Sequence, residues 1–286
     1  MISDITLGQY FPGYSKIHKL DPRTKILLAT AFIVAVFIAN NLFGFIILSA
    51  TCFILMWQSR ISFKVMLRGI KPIVIILIFT AIINVFLTTG TSEPLLNWWI
   101  FTVYKEGIIR AIFMAIRVII LILGTSVLLT YTTSPIALTD GIESLLSPLK
   151  KIKVPVHVFA MMMSIALRFI PTLIEETEKI MNAQKSRGAD FSSGGLIKRA
   201  KALIPILVPL FVSSFKRAEE LATAMECRCY RGDKGRTKLV KLTYRPLDFV
   251  YMTAFVFFVT VLVLSRIIPY NYPVSNIVYS VLFYRI

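Results

Sequence analysis

The sequence predicts an all-α polytopic membrane protein: a transmembrane helix bundle plus a cytoplasmic domain of long amphipathic helices. Three observations predict it. Of the 286 residues 56% are hydrophobic, and the mean hydropathy is +0.74. The same chain nonetheless carries a net charge of +17. Its apolar runs also alternate with links rich in Lys and Arg, as the positive-inside rule requires. A nucleic-acid binder could be as basic but would not be this apolar, so no nucleic-acid partner is expected and the lipid bilayer is.

Each element follows in order. The N-terminal stretch "MISDITLGQYFPGYSKIHKLDPRTK" has no apolar core before residue 26, so no cleaved signal peptide is expected. Runs 26–39 and 42–57 are the first two spans, parted by Asn40-Asn41 as a minimal polar hairpin. Both are shorter than the ~20 residues of a straight span, so borrowed flanking residues or local thinning are implied. Runs 72–89 and 107–131 complete a bundle over residues 1–131. A last span at 247–265 and an aromatic-rich tail form a third region, 247–286.

Charge orients these spans. Lys16, Lys19, Arg23 and Lys25 precede the first, and Arg60, Lys64, Arg68 and Lys71 fill the second link. Both segments are therefore expected inside, and parity puts residues 132–246 inside with them. That interval holds 19 Lys/Arg against 10 Asp/Glu, which agrees. The odd final span puts the tail outside unless it returns to the interface. Arg110 and Arg117 break the pattern at the outer half of span four; they snorkel outward or pair with Glu106.

Between 132 and 246 charges recur every few residues, and no apolar stretch is expected to reach spanning length. "TTSPIALTDGIESLLSPLKKIKVP" reads as a short amphipathic helix from Ser134-Pro135 to near Pro148. Over 158–187 apolar residues recur at three and four, Glu175 and Lys179 form a favourable i,i+4 pair, and Gly188 is a natural stop. A second stripe runs over 196–231; Pro205 and Pro209 must bend or break it, and Gly232 closes it. "ADFSSGG" between them is turn chemistry.

Chemistry is scarce. No GxxxxGK[ST] loop, GxSxG, HExxH or pocket-like carboxylate pair is present, so no enzyme and no cofactor are expected in this chain. Cys52, Cys227 and Cys229 form no CxxC and lie far from His18 and His157, so reduced thiols are expected rather than a metal site. The spans lack the acids of an ion-coupled transporter, and their one deep polar residue, Asn84, is best read as an interhelical hydrogen bond. Two arginines remain, Arg187 and Arg228, each at the polar end of a long helix. Arg offers a planar fork of five donors suited to carboxylates or backbone carbonyls of a partner, and it favours a helix C-terminus. The small Ser186, Gly188, Cys227 and Cys229 leave room for close approach. Pattern alone leaves docking and a plain inside charge equally open.

"GYSKIHKLDPRTKIL", "TTSPIALTDGIESLLSPLKKIKVPVH", "ALRFIPTLIEETEKIMNAQKSRGADF" and "LVPLFVSSFKRAEELATAMECRCYRGDKGRT" resemble, in order, the signature blocks of the transmembrane T component of energy-coupling factor (ECF) transporters. The resemblance runs nearly end to end. It implies that the amphipathic helices are coupling helices whose arginine motifs, Ser186-Arg187-Gly188 and Cys227-Arg228-Cys229, dock on two ABC-type ATPase subunits. Those partners would bind ATP and Mg. A membrane-embedded S component would capture the micronutrient, a vitamin or a metal, in the plasma membrane of a prokaryote. Cys229 departs from the family's usual glycine, and its β-carbon raises the question of whether the backbone is the same there. The alternative is a structural membrane scaffold that recruits cytosolic partners without ATP-driven transport.

Overall fold

The computed structural model describes residues 10–39, 41–88, 96–98, 101–189, 191, 195–232 and 242–267. They form helices α1 (Pro22–Ile38), α2 (Leu42–Ser59), α3 (Phe63–Ile70), α4 (Val74–Leu87), α5 (Lys105–Thr125), α6 (Pro135–Leu145), α7 (Val156–Ser186), α8 (Leu196–Cys227) and α9 (Pro246–Ile267). A short antiparallel pair, β1 (Leu96–Trp98) and β2 (Phe101–Val103), sits in the α4–α5 connection with Leu96 opposite Val103. That pair has no counterpart in the sequence reading, because three-residue strands carry too little periodicity to register. The tail beyond 267, Asn40 and most of "ADFSSGG" lie outside the described residues.

Two compact units divide the chain, residues 9–141 with 242–286 and residues 142–241 with 1–8. In the first, the core gathers Phe32, Val36, Leu48, Val127, Leu128 and Leu262 from α1, α2, α9 and the wide turn Ser126–Thr130 that ends α5. Gly124 is what lets it close: a Cβ there would lie 2.2 Å from Cε1 of Phe32. Likewise a Cβ at Gly107 would sit 3.1 Å from the carbonyls of Asn84 and Val85, so α5 meets the backbone of α4 there. The outward faces are apolar too. No residue of α4 is buried, and Ile75 and Leu87 are each 75% exposed, as a lipid-facing helix requires.

The span ends are held by polar bonds. Asp21 caps α1 by accepting from the Arg23 backbone N–H at 2.9 Å, with Pro22 at the first helical position, where its missing N–H costs nothing. Asp248, fully buried at the start of α9, accepts from the N–H of Asp21 at 2.8 Å and of Arg245 at 2.7 Å. Arg23 donates to the Leu242 carbonyl and lies over the Tyr244 ring. Buried Lys25 donates to the carbonyls of Thr132 and His18, with Asp248 and Asp21 as its attracting charges. The basic "KLDPRTK" segment is thus a knot joining both ends of the bundle as well as a topology signal. The first apolar run does extend into its flanking residues, since α1 starts at Pro22 rather than 26.

Among the described residues, five helical segments are long and apolar enough to cross a membrane: Leu42–Ser59, Phe63–Leu87, Lys105–Thr130, Val156–Ser186 and Pro246–Ser265. The expectation that nothing between 132 and 246 reaches spanning length is therefore corrected by α7, whose apolar N-terminal half outweighs the charged C-terminal half that dominated the sequence reading. Asn84 is a second correction: its side-chain amide donates to the Thr80 carbonyl of its own helix at 2.8 Å. Arg117 neither awaits solvent nor simply snorkels. It donates to the Ala39 carbonyl at the C-terminal end of α1 at 2.9 Å and lies over the Phe45 ring. That carbonyl is one of the orphan acceptors every helix end leaves behind.

Candidate docking site

The second unit is built on α7 and α8. α7 ends as its Gly188 expectation predicts. Gly188 takes φ +86°, its N–H bonds the Lys185 carbonyl at 2.9 Å, and the Ala189 N–H bonds the Gln184 carbonyl at 3.0 Å. This is a Schellman cap with Arg187 as the last half-helical residue, at φ −86° and ψ 6°. A Cβ at Gly188 would meet nothing within 4 Å, so glycine is needed there for its φ alone.

α8 repeats this ending bond for bond. The Cys229 N–H bonds the Glu226 carbonyl at 2.8 Å and the Tyr230 N–H bonds the Met225 carbonyl at 3.1 Å. Arg228 sits at φ −90° and ψ 15°, and Cys229 takes the left-handed φ of +54° that glycine would take. The question raised by its β-carbon is answered: the backbone is the same, at the cost of holding an L-residue in that region. Gly232, expected to close this helix, lies beyond an end already made by Cys229. Pro205 and Pro209 leave α8 an unbroken α-helix, and Pro171 does the same in α7.

Ser186, Arg187, Gly188, Cys227, Arg228 and Cys229 are all exposed, so the two motifs present their arginines outward on matched caps. Each guanidinium stands beside carbonyls at the negative end of a helix dipole. The Arg228 end also borders an open groove of about 750 Å³ lined by Met161, Arg168, Met225, Tyr230 and Arg231 among others. Among the described residues, none in its lining is acidic.

Residues far apart in sequence hold the two helices together. Arg217 donates to Glu176 at 2.7 Å, and Ser213 donates to the other oxygen of the same carboxylate. Earlier turns of α7 (Ile165, Phe169, Leu173) share a cleft with later turns of α8 (Ala218, Leu221, Met225), so the helices run antiparallel. The two capped ends therefore point in opposite directions. At the start of α7, buried His157 bonds buried Glu143 at 2.9 Å. The sequence reading missed Glu176, Ser213, Arg217 and the His157–Glu143 pair; no local spacing marks contacts between residues 14 to 41 positions apart. No group of three metal-ligating side chains occurs among the described residues, and Cys227 and Cys229 are free thiols.

The family described as CbiQ, cobalt transport protein, matches residues 13–239. The chain belongs to it. The match opens on Gly13, the first residue of "GYSKIHKLDPRTKIL". Relatives agree: the energy-coupling factor transporter transmembrane protein EcfT of Clostridium kluyveri is 55% identical over 267 residues, covering 93% of this chain and 98% of that protein. EcfT of Ruminiclostridium cellulolyticum is 53% identical over 93% and 98%. EcfT of Bacillus subtilis is 49% identical over 87% and 93%. The resemblance to the ECF T component is thereby borne out, and with it a multi-pass membrane subunit of a transporter.

The cap geometry of this family member makes one local prediction. Gly188→Ala places a β-carbon at φ +86° in open space, so its cost is conformational alone, about 1 kcal/mol at that helix end. Cys229→Gly relieves the same strain and should firm the α8 end by a similar amount. Amide hydrogen exchange over 183–189 and 225–230 reads both; equal exchange in all variants would refute the strain argument.

Proposed function

We propose that this chain is the transmembrane scaffold of an ECF-type ABC importer. It couples ATP hydrolysis by two cytosolic ATPase subunits to micronutrient uptake through a membrane-embedded S component. One observation carries the reading. Two long antiparallel helices end in identical Schellman caps, each holding an exposed arginine at its tip. Matched forks aimed in opposite directions suit a pair of similar partners better than a single one. Arginine at such a site engages carboxylates or helix-end carbonyls with two or more bonds at once. The chain itself carries no catalytic role; ATP and Mg belong to the partner ATPases. Residues 1–131 and 247–286 act as the membrane part, and the two arginine-capped helix ends act as the coupling part, on the cytoplasmic side. A change in the spacing of the two ATPases moves the caps, and the helices carry that movement to the S component. The states must differ in contact energy for such coupling to occur.

The test is co-expression with the ATPase and S-component subunits, purification in mild detergent, and uptake by the reconstituted complex. Stable association with ATP-dependent uptake is expected. Association without ATP-dependent uptake would reduce the chain to a static recruiting scaffold. Orientation has a simpler check, since both exposed thiols flank Arg228. In intact cells Cys227 and Cys229 should react with a membrane-permeant maleimide and resist an impermeant one. Labelling by the impermeant reagent would place the arginine caps on the wrong side of the membrane.

A further inference from the structure

The ion pair between α7 and α8 has a position that packing alone does not explain. Arg187 lies eleven residues beyond Glu176, and Arg228 lies eleven residues beyond Arg217. At 1.5 Å per residue each cap therefore stands about 16 Å along its own helix from the same ion pair. Both intervals are free of glycine and proline. The prolines of these helices, Pro171 in α7 and Pro205 and Pro209 in α8, all fall on the other side of the pair. Proline removes a backbone bond and weakens the helix locally, so the compliant part of each helix precedes the pair and the stiff part follows it.

The contact itself is fixed at one point and loose around it. Glu176 is gripped from two successive turns of α8, by Ser213 on one oxygen and by Arg217 on the other. That sets its register along α8. Beside the pair the helices meet through Leu173, Phe169 and Ile165 against Ala218, Leu221 and Ala222, across a cleft of about 280 Å³. Apolar contacts over small side chains are non-directional and tolerate sliding. On the opposite side Ala183 and Ser186 of α7 and Ile204 and Leu207 of α8 are exposed. The pair is partly exposed, with side chains 36% and 21% accessible, so its value lies in geometry rather than in stability.

We propose that Glu176 and Arg217, with Ser213, form the pivot about which two equal stiff arms carry Arg187 and Arg228, making them positioning residues for energy coupling. This rests on the reading that the two caps dock on ATPases. A pivot holds the crossing point while the arms change angle, so displacement at one cap is transmitted to the other. Without it, the helices slip along the apolar cleft and the displacement is lost.

The experiment uses the full complex with the wild-type chain, Glu176→Gln, Arg217→Leu, and the charge-swapped double variant Glu176→Arg with Arg217→Glu. Three readouts are taken: subunit co-purification, ATP turnover, and substrate taken up per ATP hydrolysed. Both single variants should co-purify with the ATPases as the wild type does and still hydrolyse ATP. Their uptake per ATP should fall on the order of tenfold or more, the scale of loss a small misplacement causes. The swapped pair should recover most of it, because the cross-helix attraction returns with reversed sign. Unchanged uptake per ATP in both singles would overturn the pivot. So would loss of the ATPases from the singles, or a swapped variant as impaired as the worse single. A wild-type complex without ATP-dependent uptake would instead bring down the docking reading, so the two failures are separable.

Discussion

The double variant Arg187→Ala with Arg228→Ala is expected to lose ATPase association and ATP-dependent uptake almost completely. Each arginine is exposed in the isolated chain and would be desolvated on docking. Truncating one partner of a buried, hydrogen-bonded charge pair costs about 2–5 kcal/mol, a weakening of tens to thousands of fold for each site. Either single variant keeps one cap, so it should retain partial association through the other. The double variant should lose coupling far more than either single one, since no cap is left to hold an ATPase. Arg→Lys at either cap keeps the charge and loses the fork, and should fall between wild type and Ala. Arg→Glu should be worst. Substrate binding by the S component alone should not change. Co-purification, ATP turnover and uptake measured on the same preparations decide it. Normal uptake in the double variant would return both arginines to the role of topology charges.

The second large effect is expected at Asp248, far from any docking motif. Its two oxygens satisfy the backbone N–H groups of Asp21 and Arg245, and it is a main attractive charge for buried Lys25. Asp248→Ala orphans both donors and leaves a buried ammonium short of its counter-charge. Losses of this kind reach about 3–5 kcal/mol. The purified variant should unfold at clearly lower temperature in detergent, or fail to accumulate. Asp248→Asn keeps one acceptor oxygen and should be milder. Trimming lipid-facing Ile75 to Ala should do little and serves as the control. Equal thermal stability of Asp248→Ala and wild type would show that the knot between α1 and α9 is dispensable.

Much of the site was readable because it is local. A helix end needs a left-handed residue within a few positions, and Gly188 announces one. Cys229 does the same work without announcing it, since nothing in a cysteine signals φ +54°. The stop was accordingly assigned to Gly232. Asn84 shows the opposite limit. An amide in an apolar helix seeks an acceptor, but the sequence does not say whether that acceptor belongs to a neighbour or to the preceding turn. The span assignments match helices of crossing length at α2, α3–α4, α5 and α9, whereas α1 has only 17 residues; they failed at α7, where one helix is apolar in its first half and charged in its second.

From the sequence alone came the class, the basic links between apolar runs, the order of most helices, and the two arginine ends. Composition, 3.6-residue periodicity and turn chemistry act over a few residues and survive without any knowledge of packing. The tertiary structure alone decided that Asp248 closes the first span's cap, that Arg117 serves the end of α1, and that Cys229 copies Gly188. It alone decided that Glu176 meets Arg217 midway between two equal arms. Those are pairings between residues forty to more than two hundred positions apart. Such pairings depend on which helices lie side by side, and no local pattern carries that information.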